Sequence, residues 1–101
     1  MAVDRFTIDV LRNAFASIVD EMGIMLSRCA MSPVITQGRD FSGAVTTATG
    51  DLVMQGAYVL PGHVGTMPFT IEAILEDFGD DIRPGDIFTT NDPHRAGTHL
   101  P

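Results

Sequence analysis

The chain contains no lysine and no tryptophan, a single cysteine, and no long apolar run. All six basic residues are arginine, so the sequence offers neither a Schiff-base lysine nor the lysine of a phosphate-binding loop. Thirteen acidic residues give a formal charge of −7, which repels the phosphate backbone of nucleic acids. These absences exclude a Walker-type nucleotide hydrolase within these residues and argue against nucleic-acid binding.

The cysteine content and the N-terminal residues predict a cytoplasmic protein. Cys29 has no partner for an internal disulfide, and the N-terminus lacks the basic patch and apolar run of a signal peptide. No apolar stretch approaches the roughly 20 residues that cross a bilayer. We therefore expect a reducing compartment and no membrane partner.

The apolar pattern of the first third of the chain predicts a long amphipathic helix. Thr7 is a candidate for its N-cap, and Ser32-Pro33 is expected to end it because proline disfavours helix in the preceding residue. The stripe of residues spaced three and four apart is interpreted as a core-packing surface in preference to a coiled-coil seam. It comprises Ile8, Leu11, Phe15, Ile18, Met22, Met25 and Cys29.

The sequence after the first helix predicts a β-hairpin and then a short helix. Residues 41–58 are rich in Val, Thr, Ala and Gly, with a turn at residues 49–51. Thr66 and Pro68 are expected to open the helix, and Gly79 to end it in a left-handed conformation. The predicted fold class is therefore α+β.

The chain ends in an unusual way for a complete domain. Residues 87–90 are predicted to form a buried strand, and residues 91–101 are rich in turn formers with no closing element after them. We interpret residues 1–101 as the N-terminal portion of a longer α/β subunit, truncated at its C-terminal end.

Five polar residues are candidates for chemistry. His99 lies in a loop after the predicted strand, where an imidazole can reach a metal or simply bond to backbone. Asp40 precedes the hairpin and is either a general base, a metal ligand or a turn residue. His63 lies between glycines, and His94 and Asp92 lie in the last loop, but none of these residues forms a recognised short zinc-ligand spacing.

An ordered set of motifs over essentially the whole chain resembles the start of the hydantoinase B/oxoprolinase family. The set comprises Arg39-Asp40-Phe41-Ser42, Gly50-Asp51-Leu52-Val53-Met54-Gln55, His63-Val64-Gly65-Thr66-Met67-Pro68, Arg83-Pro84-Gly85-Asp86-Ile87-Phe88, Asn91-Asp92-Pro93 and Gly97-Thr98-His99-Leu100-Pro101. Any one motif is weak, and their order carries the resemblance.

The resemblance implies a place in a multi-subunit enzyme. The family includes B-type subunits of ATP-dependent hydantoinases and lactamases, the corresponding half of 5-oxoprolinase, and alpha subunits of ketone carboxylases. Its members cooperate with an A-type subunit that binds ATP and activates an oxygen of the substrate or of bicarbonate. We therefore expect an ATP-dependent hydrolase in a hetero-oligomer with such a hydantoinase A-type partner.

The resemblance also implies a site. In the family, the histidine of the Gly-Thr-His-Leu-Pro run holds one divalent ion, zinc or manganese, and this histidine matches His99. The aspartate of the Arg-Asp-Phe-Ser pattern matches Asp40, which is expected to act as a ligand or a catalytic base. His63, Asp92 and His94 are candidates for supporting groups around the ion. The loop departs from the family pattern because a single glycine precedes Thr-His.

Three functions remain open at this stage. The first is opening of an ATP-activated cyclic amide such as a hydantoin or oxoproline. The second is carboxylation of a ketone by an acetone carboxylase type of alpha subunit. The third is a non-catalytic interaction module that docks on a partner through the helix bearing the apolar stripe.

Overall fold

The computed structural model describes residues 2–57, 61–63 and 65–99. These residues form an α+β arrangement, which confirms the predicted class. In chain order the elements are α1 (Arg5–Cys29), α2 (Pro33–Thr36), β1 (Ala44–Thr46), β2 (Leu52–Gln55), a 3₁₀ turn (Pro61–His63), α3 (Met67–Phe78) and a second 3₁₀ turn (Gly79–Asp81).

The N-terminal end of α1 is capped by Asp4. Its Oδ1 accepts a hydrogen bond from the Thr7 backbone N–H at 2.8 Å, and its Oδ2 accepts one from the Thr7 hydroxyl at 3.0 Å. The prediction that Thr7 is the cap was wrong, because an aspartate three residues earlier competes for the same role. Thr7 lies in the first turn and donates to the cap.

The C-terminal end of α1 comes earlier than predicted. The helix ends at Cys29, and the Ala30 N–H donates to the Leu26 carbonyl at 3.0 Å. Pro33 does not terminate α1 but begins α2, where its missing N–H is one of the groups without an intrahelical partner. The predicted stop at Ser32-Pro33 therefore marks the start of the next helix.

The packed face of α1 consists of small and polar residues. Val19 is 2% exposed and lies against Gly56, where a Cβ would stand 3.5 Å from the Val19 carbonyl oxygen. A Cβ on Gly23 would stand 3.4 Å from the Phe41 ring. Asp20 accepts a hydrogen bond from the Ala57 N–H at 3.2 Å. This face allows the hairpin backbone to approach the helix closely.

The predicted apolar stripe is not the packed face. Its members Ile8, Leu11, Ile18, Met22 and Met25 are between 42% and 59% exposed. Each residue of an α-helix turns the side chain by about 100°, so Val19 points well away from Ile18. The interpretation of the stripe as core is wrong for the described residues, because glycine and alanine positions decide where the hairpin packs.

The hairpin was predicted at the right place. Strands β1 and β2 pair antiparallel, with Val45 opposite Met54 and a bulge next to Thr46. The turn is closed by a 2.9 Å hydrogen bond from the Thr47 N–H to the Asp51 carbonyl, and Gly50 takes a φ of +95°. Glycine adopts that left-handed φ at little cost.

Helix α3 also lies where the pattern predicted it. Pro68 is in its first turn, and Gly79, with φ +47°, ends it by donating its N–H to the Leu75 carbonyl. Two proposed signals, proline near the start and glycine at the end, are thus confirmed.

The predicted buried strand at residues 87–90 is wrong. The two-stranded sheet of the described residues pairs only β1 with β2, so this segment has no strand to bond to. Ile87 is 89% exposed, whereas the Phe88 ring packs 4.6 Å from the Phe78 ring at the end of α3. An apolar run needs a partner strand before it becomes a strand.

Among the described residues, none of the helices combines the length and the apolar character that a membrane span requires.

Asp4 predicts a specific acid response of α1. Hydrogen bonds from Thr7 lower the pKa of Asp4 below 3.8, so the ionised carboxylate stabilises the folded helix. This contribution is complete above the unfolded pKa and is lost as the pH falls through the lower folded value. We expect the wild-type chain to lose helical ellipticity on acidification below about pH 4 to a greater extent than Asp4→Asn, which keeps the acceptor but cannot titrate.

Two further variants make the comparison decisive. Asp4→Ala is expected to have lower ellipticity than the wild type at neutral pH, because the cap is lost. Asp9→Asn, one turn further on, should keep the acid response. Identical acid titrations of the wild type and Asp4→Asn by circular dichroism would contradict the assignment.

Candidate metal centre

The backbone around Asp40 is held in an uncommon conformation. Arg39 has a φ of +52°, a left-handed value that costs a non-glycine residue about 1 kcal/mol. The Asp40 N–H donates to the Val34 carbonyl at 3.0 Å, and the Phe41 N–H donates to the Arg39 carbonyl at 2.9 Å. The Phe41 ring lies against Gly23 of α1. These contacts fix a carboxylate that is 18% exposed.

His63 is positioned by hydrogen bonds to its backbone carbonyl oxygen. This oxygen accepts hydrogen bonds from the Gln55 side-chain amide at 3.3 Å and from the Thr66 hydroxyl at 2.9 Å. Gln55 ends β2 and Thr66 precedes α3, so two elements position the 3₁₀ turn. His63 is 6% exposed and is the buried polar residue of the described chain.

The loop that carries His99 is tied to α3. The Thr70 hydroxyl donates to the Ala96 carbonyl at 2.7 Å. Arg95 donates through Nη2 to Asp77 at 2.6 Å and to Glu76 at 3.1 Å, and through Nε to Asp77 at 3.3 Å. The hydrogen bond to Asp77 raises the pKa of Arg95 above its ordinary value.

The turn before His99 depends on Gly97. Its N–H donates to the Asp92 carbonyl at 2.8 Å, and a Cβ at this position would stand 2.8 Å from that oxygen and 3.1 Å from Pro93 Cα. Contacts this short with backbone atoms leave no room for a side chain. The loop therefore needs glycine for space.

The three segments bring Asp40, His63 and His99 together. His63 Nε2 lies 3.4 Å from Asp40 Oδ1, and His99 Nε2 lies 3.3 Å from Asp40 Oδ2. The two imidazole rings are 5.2 Å apart between centroids. Each residue offers one ligand atom, and these atoms all lie within 4.8 Å of one another.

These distances fit two arrangements, a direct hydrogen bond such as the 3.3 Å contact of His99 Nε2 with Asp40 Oδ2, and a divalent cation shared by the three side chains. Nitrogen-to-oxygen hydrogen bonds cluster at about 2.9 Å. Two ligands at about 2.05 Å from a tetrahedral zinc ion are about 3.3 Å apart. The two measured separations, each to a different oxygen of Asp40, accommodate either arrangement, so the cluster can take a divalent cation.

Unpartnered polar atoms support the same fit. In the described part of the chain, the buried side-chain polar atoms without a hydrogen-bond partner are Asp40 Oδ1 and His63 Nδ1. Leaving a buried donor or acceptor unsatisfied costs about 1–3 kcal/mol. Asp40 Oδ1 faces the cluster, so a cation bound there would offset this cost at the carboxylate, whereas the atom of His63 that faces Asp40 is Nε2 and not the unpartnered Nδ1.

The side chain of Thr98 orients His99. Its hydroxyl lies 3.1 Å from His99 Nδ1, so it can accept a hydrogen bond from an Nδ1–H and leave the Nε2 lone pair facing Asp40. Such a bond on the far nitrogen is how metal-binding histidines are usually held in one tautomer.

The cluster lines a cleft of about 380 Å³. The His99 side chain is 49% exposed, so one ligand remains accessible from outside. The described lining residues are Asp40, Phe41, Ser42, His63, Thr66, Met67, Thr70, Thr90, Ala96, Gly97, Thr98 and His99. A small molecule can therefore approach the side of the cluster that His99 borders.

Two predicted candidates lie outside the cluster. Asp92 Oδ1 accepts a hydrogen bond from the His94 N–H at 2.9 Å, and the Asp92 N–H donates to Thr90 Oγ1 at 3.2 Å. Asp92 therefore shapes the turn. Neither Asp92 nor His94 belongs to the group of possible ligands among the described residues. Their support of the ion stays a prediction.

The sequence predicted only a supporting role for His63, whereas the structure places it among the possible metal ligands. It was expected to support the site from outside, yet it offers a ligand atom on the same terms as the other two. The flanking glycines, Gly62 and Gly65, were the available signal, because they allow a tight turn that buries the ring. The sequence reasoning did not find the attachment of Arg95 to α3.

The model of the hydantoinase B/oxoprolinase family matches residues 4–101. The chain belongs to this family. Its relatives include an uncharacterized protein from Methanocaldococcus jannaschii, 35% identical over 97% of this chain and 18% of the relative. 5-Oxoprolinase 1 from Arabidopsis thaliana is 34% identical over 97% of this chain and 8% of the relative.

The name of a third relative describes it as one subunit of an enzyme. This protein, the beta subunit of a caprolactamase from Pseudomonas jessenii, is 31% identical over 97% of this chain and 17% of the relative. The chain therefore spans less than one fifth of the length of these three relatives. No solved structure matches it significantly.

Substitution of Gly97 tests whether the loop positions His99. Gly97→Ala places a methyl group within 2.8 Å of the Asp92 carbonyl, so we expect the turn to open and the His63 and His99 rings to separate. The measurement is the nuclear Overhauser contact between the two rings, which are 5.2 Å apart between centroids. Gly62→Ala is the matched control, since no atom lies within 4 Å of a Cβ there. An unchanged ring contact in Gly97→Ala would contradict this role.

Proposed function

We propose that this chain supplies metal-binding residues of an ATP-dependent cyclic amidohydrolase of the hydantoinase/5-oxoprolinase type. The observation that carries the proposal is the meeting of Asp40, His63 and His99, with ligand atoms within 4.8 Å of one another. The family membership and the names of the relatives, which include 5-oxoprolinases and components of a caprolactamase and a hydantoinase, indicate the class of substrate.

The donor set suits zinc or manganese. Two imidazoles and one carboxylate are ligands that both ions accept. A divalent ion bound there supplies Lewis acidity toward the carbonyl oxygen of an amide. Asp40 and His63 would hold the inner side of the ion, because both are buried or nearly so, and His99 would hold the side next to the cleft.

Asp40 can serve in two ways. Its oxygens face different imidazoles, with Oδ1 toward His63 and Oδ2 toward His99. One oxygen can hold the ion while the other accepts a proton from a water molecule entering the cleft. The water that gives its proton to Asp40 would then attack the carbonyl carbon of the amide.

ATP is expected on a different chain. The sequence contains no lysine for a phosphate-binding loop, and its charge of −7 disfavours a nucleoside triphosphate. We propose an A-type partner that binds ATP and activates the amide. The names of the caprolactamase and hydantoinase relatives, each of which designates one component of an assembly, support such a partner.

Metal affinity tests the cluster directly. We expect Asp40→Asn, His63→Ala and His99→Ala each to weaken zinc or manganese binding at least about tenfold, because each removes one ligand. Isothermal titration of the 101-residue chain gives the measurement. Glu21→Gln is the control, as an exposed carboxylate of α1 outside the cluster should leave affinity unchanged. Wild-type affinity in His63→Ala would remove that residue from the proposed ligand set.

Product analysis tests the reaction. With ATP and an A-type partner, the metal-loaded enzyme is expected to open a cyclic amide such as 5-oxoproline or a hydantoin without added bicarbonate. Chromatography of the reaction mixture identifies the ring-opened product. A product that forms from a ketone and requires bicarbonate would contradict the hydrolase and support the carboxylase.

A further inference from the structure

Hydrogen bonds attach the loop of residues 91–99 to the rest of the chain at few points. Among the described residues, these bonds involve Arg95, Ala96 and His99. The described sheet pairs only β1 with β2, so no strand pairing within it holds this loop. The place of the His99 ring therefore depends on side-chain attachments.

Arg95 makes the most extensive of these attachments. Its Nη2 and Nε donate to the two carboxylate oxygens of Asp77 at 2.6 and 3.3 Å, and Nη2 also donates to Glu76 at 3.1 Å. Two parallel bonds between a guanidinium and one carboxylate fix the direction of the side chain as well as its distance. A lone hydrogen bond, such as that from the Thr70 hydroxyl to the Ala96 carbonyl, leaves a loop free to pivot.

The C-terminal end of α3 benefits from the charge that Arg95 brings. Glu76 and Asp77 lie in the last turn of this helix, where the backbone carbonyls carry about half a negative charge. The helix has no basic residue of its own in that turn. The three side chains are about half exposed, so their ion pairs contribute little to global stability. Their effect is local and falls on the loop.

His99 lies close to this attachment in the chain but is not held by burial. Three residue steps separate it from Ala96, and they extend at most about 10 Å. Its side chain is 49% exposed, and its Nε2 lies 3.3 Å from Asp40 Oδ2. A half-exposed ring with one long hydrogen bond stays at this distance only when its backbone is fixed.

We propose that Arg95 is a positioning residue for His99. Its bonds to Glu76 and Asp77 hold the loop on α3 with the imidazole toward Asp40, and without them the imidazole moves away from the carboxylate. Where a cation is bound, the inference rests on the ligand set of the proposed function. The position of the ring in the metal-free chain does not depend on that proposal.

Nuclear magnetic resonance of the metal-free 101-residue chain tests the position of the ring. We expect Arg95→Gln to weaken the nuclear Overhauser contact between the His63 and His99 rings at least about twofold, because the loop loses its charged attachment. Arg95→Lys should give an intermediate contact, since lysine keeps the charge but lacks the planar fork. Arg83→Gln is the matched control, because Arg83 pairs with Asp81 outside the loop. A wild-type ring contact in Arg95→Gln would overturn the proposal.

The partner carboxylate supplies a second variant. Asp77→Asn keeps the shape of the side chain and is expected to weaken the ring contact as much as Arg95→Gln does. The double variant should lose no more than either single variant, because both substitutions remove one attachment. Additive losses would contradict a shared attachment and overturn the proposal.

Salt separates an electrostatic attachment from a side chain that only fills space. The screening length falls from about 30 Å to about 3 Å between about 0.01 and about 1 M salt. We expect the ring contact of the wild-type chain to weaken over this range of sodium chloride, and that of Arg95→Gln to stay constant. Equal salt responses of the two chains would overturn the role of the ion pair.

Zinc titration distinguishes this inference from the proposed metal centre. The apparent affinity falls with the fraction of molecules in which His99 is in place, so we expect Arg95→Gln to bind at least about twofold more weakly. Arg83→Gln should bind as the wild type does. Weaker binding with an unchanged ring contact would overturn the positioning role. Failure of the wild-type chain to bind zinc, with a ring contact that still responds to Arg95→Gln, would remove the metal centre and support the positioning role.

Discussion

The position of the Asp40 carboxylate between two imidazoles is the constraint on which the described structure depends. Its Oδ1 is buried without a hydrogen-bond partner, and a buried carboxylate in that state is costly unless positive charge lies close by. The ring nitrogens of His63 and His99 reach this carboxylate from segments far apart in the sequence. The hairpin, α3 and the last loop must all be in place before the three side chains meet.

Phe41 and Gly23 connect this constraint to the long helix. Glycine inside a helix costs about 1 kcal/mol relative to alanine, and here it leaves the space against which the Phe41 ring packs. The ring follows Asp40 directly and lines the cleft that holds His63 and His99. A Cβ at position 23 would stand 3.4 Å from the ring, an ordinary contact distance, so side chains longer than alanine are the ones expected to press on the ring and on the segment that carries Arg39 and Asp40. The helix therefore acts on the site through close packing.

The sequence correctly predicted the elements whose ends are determined by residues close to them in the chain. The glycine at position 50, the proline at position 68 and the glycine at position 79 act within a few residues, and the elements that they bound were predicted correctly. The packed face of α1 and the fate of residues 87–90 depend on what lies opposite them. Periodicity showed that α1 is amphipathic but did not show that the hairpin packs on Val19. The position of His63 beside Asp40 is likewise a tertiary property, which a glycine-flanked histidine only suggests.

The last loop is held against α3 by side-chain hydrogen bonds. Arg95 reaches back to Asp77 and Glu76 of α3, and the Thr70 hydroxyl donates to the adjacent Ala96 carbonyl. The single Gly97 then makes the tight turn that leads to His99. Surface ion pairs contribute little to global stability, so the value of this attachment lies in where it holds the loop. A loop anchored to α3 on one side and facing Asp40 on the other keeps the imidazole near the carboxylate.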